Sequence, residues 1–374
     1  MDLKKLKQRT RRGRTALHRA LAALVTGASV LSVLLLWLCA ASAYVRPTAV
    51  RGAGVIGLAF PLFLGGVALM LVLTLAIVPR RAWIPLAGLL GCAGSIRSYF
   101  PINLPRTAPE GSIKVLSWNV HGWGKWPDNF TDDLGHNLAA KYIGESGADI
   151  VCAQETFVCN GFNDTVLRKE LVHTPYCDSI IMQENAMSIY SAYPILRRET
   201  VCAVSLNGAV AWWLQLAPRD TLIVINCHLA SMHLEQDERD AMREAVRSTP
   251  DSAAGHTFRQ LFRKIDRAAA QRADMADSVA AFLARNEGRS VLVLGDFNDT
   301  PISYARQRIG RRLTDAYRAT ATGFGRSFNR DGIIVRIDNI LCSKDWEPYE
   351  CRVDGSVSYS DHNPISCYLK RKRL

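Results

Sequence analysis

The chain has 374 residues, enough for one large domain and a smaller module. Its formal net charge is +12, from 46 Lys and Arg against 34 Asp and Glu. Thirteen of the basic residues and one acid, Asp2, fall in residues 1–104, which leaves 33 of each sign in residues 105–374. Without the tail Lys370-Arg371-Lys372-Arg373 the remainder stands at −4, so the high pI is no sign of a basic nucleic-acid-binding face.

The excess positive charge belongs to an apolar N-terminal module. Residues 1–19 form a basic segment with Lys4, Lys5, Lys7, Arg9, Arg11, Arg12, Arg14 and Arg19. Two uncharged runs follow, over 20–45 and 52–79, each longer than the roughly 20 residues that cross a bilayer. A third candidate lies within 82–100. Its apolar part, Ala82 to Ile96, would span only about 23 Å as a helix. Arg80, Arg81 and Arg97 can snorkel from its ends, and Tyr99 and Phe100 suit an interface. A buried or interfacial helix is the alternative. The basic cluster is expected on the cytoplasmic side. Three spans then place the rest of the chain outside the cytoplasm, and two would leave it inside. Ala41-Ser42-Ala43 has the small-residue spacing of a signal-peptidase site, but the run before it is long for a signal peptide.

Residues 101–112, with three prolines between Pro101 and Gly111, read as a linker, and residues 113–374 as the second domain. Ile113–Trp118 and Asp149–Ala153 predict buried strands, with a helix over Leu134–Glu145 between them, stopped at Gly147. Short β-type runs follow at Met187–Ser191, Val201–Val204, Ala209–Leu216 and Leu222–Asn226. A long amphipathic helix covers Phe258–Leu283, with capping-box spacing at Thr257 and Gln260. Val291–Leu294, Ile337–Cys342 and Ile365–Leu369 complete the strands. Strands outnumber helices and alternate with them, which predicts an α/β layered domain. Of ten cysteines, Cys152, Cys227 and Cys342 read as small core residues. Cys159 and Cys177 are either disulfide-bonded or two thiols.

The chemistry lies where apolar runs end: Ser117-Trp118-Asn119, Gln154-Glu155, Asn226-Cys227-His228, Gly295-Asp296-Phe297-Asn298, Arg336-Ile337-Asp338 and Ser360-Asp361-His362. Any one of these has an ordinary structural reading as a strand end, a turn or a cap. Six in succession predict convergence at one sheet rim. Glu155 and Asp361 are oxygen ligands suited to a hard cation. Asp296 and Asn298, two apart, face the same side if the backbone there is extended, and can orient or deprotonate water. His362 with Asp338 is an orienting pair, and His228 a second imidazole for proton transfer. His121, His136, His173, His233 and His256 match no motif and read as surface or loop residues. Trp118 reads as core, while Trp123 is open to either core packing or base stacking. The segment Ser231–His256 is either a solvated helix and loop or a substrate-selecting lid. The glycosylation spacings at Asn129 and Asn163 apply only to a eukaryotic secretory context.

Leu294-Gly295-Asp296-Phe297-Asn298-Asp299-Thr300-Pro301, Arg336-Ile337-Asp338 and Ser360-Asp361-His362-Asn363-Pro364 resemble the motifs of the endonuclease/exonuclease/phosphatase superfamily, over roughly residues 113–369. The apolar region and Arg97-Ser98-Tyr99-Phe100-Pro101-Ile102-Asn103 are similar to a bacterial membrane-attached branch. The resemblance implies a four-layered α/β/β/α sandwich of DNase I type behind two to three transmembrane helices. It also implies a hydrolase using Mg²⁺, or Mn²⁺. Glu155, Asp361 and Asn119 would form the metal site. Asn119, Asn298 and His362 would contact substrate. Asp296, helped by Asn298, would activate water. Asp338 would orient His362, and His228 would serve the leaving group. Location in the bacterial inner membrane, with an extracytoplasmic catalytic domain, follows. Partners are then the bilayer and a phosphoester, with nucleic acid first and a phospholipid, sphingolipid or small phosphoester as the rival. A catalytically silent tethered binding protein is the remaining alternative.

Overall fold

In this computed structural model, residues 3–124, 137–157, 164–232, 252–330, 335–358 and 360–372 are described. Twelve strands among them form two six-stranded mixed sheets. One has the order β11 (Trp346–Val353), β12 (Ile365–Arg371), β1 (Ile113–Asn119), β2 (Ile150–Gln154), β4 (Asn185–Ser191) and β3 (Tyr176–Met182). The other has the order β5 (Ile195–Val204), β6 (Asn207–Ala217), β7 (Asp220–His228), β8 (Val291–Asp296), β10 (Asp338–Cys342) and β9 (Thr314–Asp315).

The apolar runs are continuous because the central strands are covered on both faces. Along β8, Leu292 and Leu294 enter the core between the sheets, with Val115, Trp212 and Ile340. Val291 and Val293 face outward and are covered by Met275, Val279 and Phe282 of the long helix α8 (Ser252–Arg285). The other sheet is covered by α6 (Leu138–Glu145) and α7 (Asp164–Glu170), through Ala139, Ile143 and Leu167. Helix, sheet, sheet and helix are thus the four layers expected. Gly147, at φ +62°, gives the left-handed turn that ends α6.

The N-terminal module is helical throughout: α1 (Leu3–Ser42), α2 (Ala53–Leu58), α3 (Phe60–Ile77), α4 (Trp83–Gly91) and α5 (Ala93–Tyr99). Thr15–Ser42 and Phe60–Ile77 are long and apolar enough to cross a membrane. The basic segment continues α1 rather than preceding it. The third candidate is not one helix, because it breaks at Cys92 into α4 and α5. Contacts fix the course of the chain. Ser42 lies against Gly57, and Arg81 reaches back to Thr26 Oγ1 at 2.9 Å. Trp37 Nε1 then donates to Gly88 O, and Tyr99 stacks on Phe60. The module therefore runs out along α1, back along α3, and out again along α4 and α5. The α/β domain joins it at the end marked by Ser42, Phe60 and Tyr99.

Several sequence expectations change. Residues 101–112 are docked on the domain: Asn103 Nδ2 donates to Arg318 O and Ala321 O, and Ala108 N donates to Glu350. Helix α8 begins at Ser252, so Thr257 lies inside it and is no N-cap. Strands β3, β9 and β11 were unexpected. β3 and β11 are edge strands with mixed burial, so neither has the continuous apolar run of a central strand. Cys152, Cys227 and Cys342 are buried core residues as expected. Cys159, Asn129, Asn163, His136, His233 and residues 233–251 of the lid candidate lie outside the described residues.

Candidate active site

Pairing direction brings the six polar clusters to one rim. β1 and β2 are parallel, as are β7 and β8, so Asn119, Glu155, His228 and Asp296 arrive at the C-terminal ends of their strands. β10 and β12 run antiparallel to β8 and β1. Their N-terminal ends therefore meet the same rim, bringing Asp338 level with Asp296 and leaving Asp361-His362 just before β12.

Asp296 Oδ2 is the hub. It lies 3.4 Å from Asn119 Nδ2, 3.6 Å from His362 Nε2 and 3.8 Å from His228 Nε2. His362 Nδ1 bonds to Asp338 Oδ2 at 2.9 Å, and Phe328 packs edge-on against the imidazole. Asn185 Nδ2 lies 3.3 Å from His228 Nδ1, Asn207 Nδ2 lies 3.4 Å from both ring nitrogens, and Nε2 stands 3.6 Å from Glu155 Oε1. Asn119 Nδ2 also donates to Glu155 Oε1 at 3.0 Å, while its oxygen accepts the His121 N–H. In this orientation the Asn119 amide joins the carboxylates of the two sheets and turns a donor, not an oxygen ligand, toward them.

Three backbone features aim these groups. Glu155 has φ +54°, a left-handed conformation uncommon for any residue but glycine, which turns its carboxylate back over the rim. Asn298 has φ +51°, so Asp296-Phe297-Asn298 is not extended. Asn298 curls back instead: its N–H donates to Asp296 Oδ1 at 2.7 Å, and its amide donates to Leu229 O. The expectation that both side chains face one way through strand geometry is corrected accordingly. Gly295, at φ +133°, passes so close to β7 that a Cβ would stand 1.9 Å from Cys227 O. Only glycine brings Asp296 level with His228.

His121, first read as a surface residue, belongs to the site. Its Nδ1 lies 3.1 Å from Glu155 Oε2 and 3.6 Å from Asp361 Oδ1. Its place two residues after Asn119 was the one signal in the sequence. Asn185 and Asn207, which hold His228, gave no such signal, since Asn207 opens β6, across the hairpin from β7, and Asn185 opens β4 in the other sheet. Asn226 is structural: it accepts from Gln154 Nε2 and donates to Ala153 O and Ser188 O, bridging the sheets. Trp118 and Trp123 are both buried, so neither is a stacking platform. His173 is a surface partner of Asp149.

The site divides electrostatically. Burial would raise Glu155, but the His121 hydrogen bond, His228 and Asn119 hold its carboxyl well below the usual range. Asp296 moves the other way: burial and the neighbouring Asp338 raise it, with His362 only partly opposing. Burial alone would lower His362, yet Asp338 and Asp296 raise it well above an ordinary histidine. Asp296, Asp338 and His362 present three ligand-type atoms within 4.8 Å of one another. Glu155 and Asp361 form a more open pair, with 22% and 15% of their side chains exposed.

This architecture and rim define a DNase I-like α/β sandwich protein with the fold of the phosphoester hydrolases. The chain belongs to the Endonuclease/Exonuclease/phosphatase family, whose model matches residues 116–362. Residues 22–99 match a second model, described as a Domain of unknown function (DUF8431). No curated protein matches the chain. Among solved structures, the human Nocturnin catalytic domain with bound sulfate anion is similar at a TM-score of 0.50 and 14% identity, covering 72% of this chain and 97% of that one. An endonuclease/exonuclease/phosphatase from Beutenbergia cavernae gives 0.47 and 15%, covering 70% and 72%. A beta toxin mutant from Staphylococcus aureus with bound magnesium ions gives 0.44 and 17%, covering 69% and 99%. At such identities the likeness is one of fold.

Proposed function

We propose that this chain is a membrane-attached phosphodiester hydrolase that works with a divalent cation. The observation that carries the reading is the meeting of Glu155, Asp296, Asp361, His228 and His362 at one rim, with Asp296 Oδ2 within 3.8 Å of two imidazoles and an amide.

Glu155 and Asp361 fit a hard cation. Both offer oxygen, both are partly open, and both converge on one donor, His121 Nδ1. The tighter trio Asp296, Asp338 and His362 is at most 4% exposed, and His362 Nδ1 is already committed to Asp338. That enclosed arrangement suits proton handling better than a hydrated Mg²⁺. A cation held by Glu155 and Asp361 would supply charge neutralisation for a phosphate. His362, kept protonated by Asp338, donates to a non-bridging phosphate oxygen. Asp296, raised by burial, takes the proton of an attacking water. His228 is the second imidazole available for proton transfer and serves the leaving oxygen. Asn298 acts through Asp296, whose carboxylate its N–H holds.

The course of the N-terminal helices supports a catalytic domain on the side opposite the basic N-terminus, outside the cytoplasm of a bacterial inner membrane. Nucleic acid is the first substrate reading. One observation favours a membrane-derived phosphoester as the second. A groove of about 870 Å³, lined by Ser360, Asn329 and Arg330 at the rim, extends to Thr322 and Gly325, beside exposed Phe324. Thr322 is also bonded to Asn103, next to the helices. The test gives the full-length protein plasmid DNA, RNA and phospholipid vesicles, with and without Mg²⁺, and Asp296→Asn as control. Cleavage of DNA or RNA supports the first reading, and cleavage of lipid alone the second. No turnover with any metal would overturn both and leave a silent binding protein.

A further inference from the structure

A second basic pocket lies away from the rim, where the helical module meets the catalytic domain. It encloses about 320 Å³ between α5, α9 (Tyr304–Gly310), β9 and α10 (Ala316–Thr320). That is room for roughly ten waters, or for a phosphate with a short polar substituent. Three guanidinium groups line it, from Arg97, Arg306 and Arg318, against one carboxylate, Asp315. The carboxylate is already engaged: Arg306 donates to Asp315 Oδ2 at 2.6 Å, and Arg336 approaches the same oxygen at 3.4 Å. Arg306 is 8% exposed, yet its Nε has no partner among the described residues. Arg97 and Arg318 are exposed. Among the described residues Arg97 bonds only to the neutral Asn103 Oδ1, at 3.2 Å, and the Arg318 guanidinium has no hydrogen-bond or ion-pair partner. The pocket thus holds uncompensated positive charge in fork geometry, above a buried donor left unused.

Its surroundings select the anion. Arg97 lies in the last turn of α5, beyond α4, whose Leu86 and Leu90 are exposed. Ile102 and Leu104, just beyond, are 74% and 87% exposed. A guanidinium pair just beyond the exposed apolar face of α4, on the side of the α/β domain, lies at the level of lipid phosphates when that face meets hydrocarbon. We infer that Arg97, Arg318 and the floor of Arg306 bind the phosphate of an anionic phospholipid headgroup, anchoring the catalytic domain on the bilayer. This rests on the membrane reading above.

Two measurements on the full-length chain keep the readings apart. Alkaline carbonate extraction of membranes tests residence itself: release into the soluble fraction would end the membrane reading and the lipid assignment with it. Retention leads to native mass spectrometry of the detergent-purified protein with phosphatidylglycerol, phosphatidylcholine or inorganic phosphate. The expected result is preferential retention of phosphatidylglycerol by the wild type, weakened about tenfold in the double variant Arg97→Gln, Arg318→Gln. Both residues are exposed, so an unchanged melting temperature without lipid is expected. If the variant is destabilised, the wild-type preference decides alone. Equal retention of the two lipids, or undiminished phosphatidylglycerol retention by a stable variant, would overturn the proposal. Inorganic phosphate displacing the lipid at equal concentration would leave a free-phosphate site and overturn the lipid source.

Discussion

Asp296 and His362 carry opposite burdens within 3.6 Å. Burial and Asp338 make the Asp296 carboxylate hard to ionise, while the same two carboxylates keep the His362 imidazole protonated. Activity that needs Asp296 ionised is lost as pH falls through a value above the ordinary aspartate range of about 4. Activity that needs His362 protonated is lost as pH rises through a value above the ordinary histidine range of about 6.5. A pH–rate profile should show both limbs. Asp296→Asn should reduce kcat by roughly 10²- to 10⁴-fold, and His362→Gln should remove the alkaline limb. His121 acts through Glu155 and Asp361. His121→Ala should raise the Mg²⁺ concentration for half-maximal turnover by about tenfold, with less effect on saturated turnover. An unchanged metal dependence would return His121 to a bystander.

At the scale of elements, the pairing of β7 with β8 sets the site. Register places His228 opposite Asp296 and Cys227 opposite Gly295. Gly295→Ala would drive a methyl group into the Cys227 carbonyl at a φ that side chains avoid. A loss of about 2–4 kcal/mol is expected, from overpacking together with backbone strain. Thermal unfolding would register it, and a stability change below about 1 kcal/mol would show that the strands can part without cost. Central strands were legible in the sequence because both faces are covered, which makes them uninterrupted apolar runs with polar ends. β3 and β11 were not legible, since edge strands covered unevenly mix exposed and buried positions, and β11 contains Pro348.

The whole molecule is joined through a buried charged node. Arg336 is 1% exposed; it donates to Ser98 O of α5 and to Asn339, and lies beside Asp315, which also takes Arg306. Burial would raise the Asp315 carboxyl, but Arg336 and Arg306 bring it down to about 2. The folded value lies below the unfolded one, so this contribution is complete above about pH 4 and is lost as pH falls through about 2. It amounts to about 2 kcal/mol. Asp315→Asn should flatten that acid limb in a stability–pH series. It should also cost about 3–5 kcal/mol at neutral pH, by leaving two buried guanidinium groups without their anion. Undiminished acid sensitivity in the variant would place the titrating group elsewhere.

The sequence alone determined the layered α/β class, the apolar helices and most of the rim residues: Glu155, His228, Asp296, Asp338, Asp361 and His362 each close or open an apolar run. Hydrophobic periodicity and strand ends are local properties, written in consecutive residues. Tertiary structure decided what depends on partners distant in the chain. It brought His121 between Glu155 and Asp361, set Asn185 against His228, and curled Asn298 back on Asp296. It also broke the third apolar segment at Cys92 and docked Pro101–Asn103 on the domain. These are contacts between residues as many as 240 positions apart, and no local pattern encodes which side chain will meet which once two sheets close on one core.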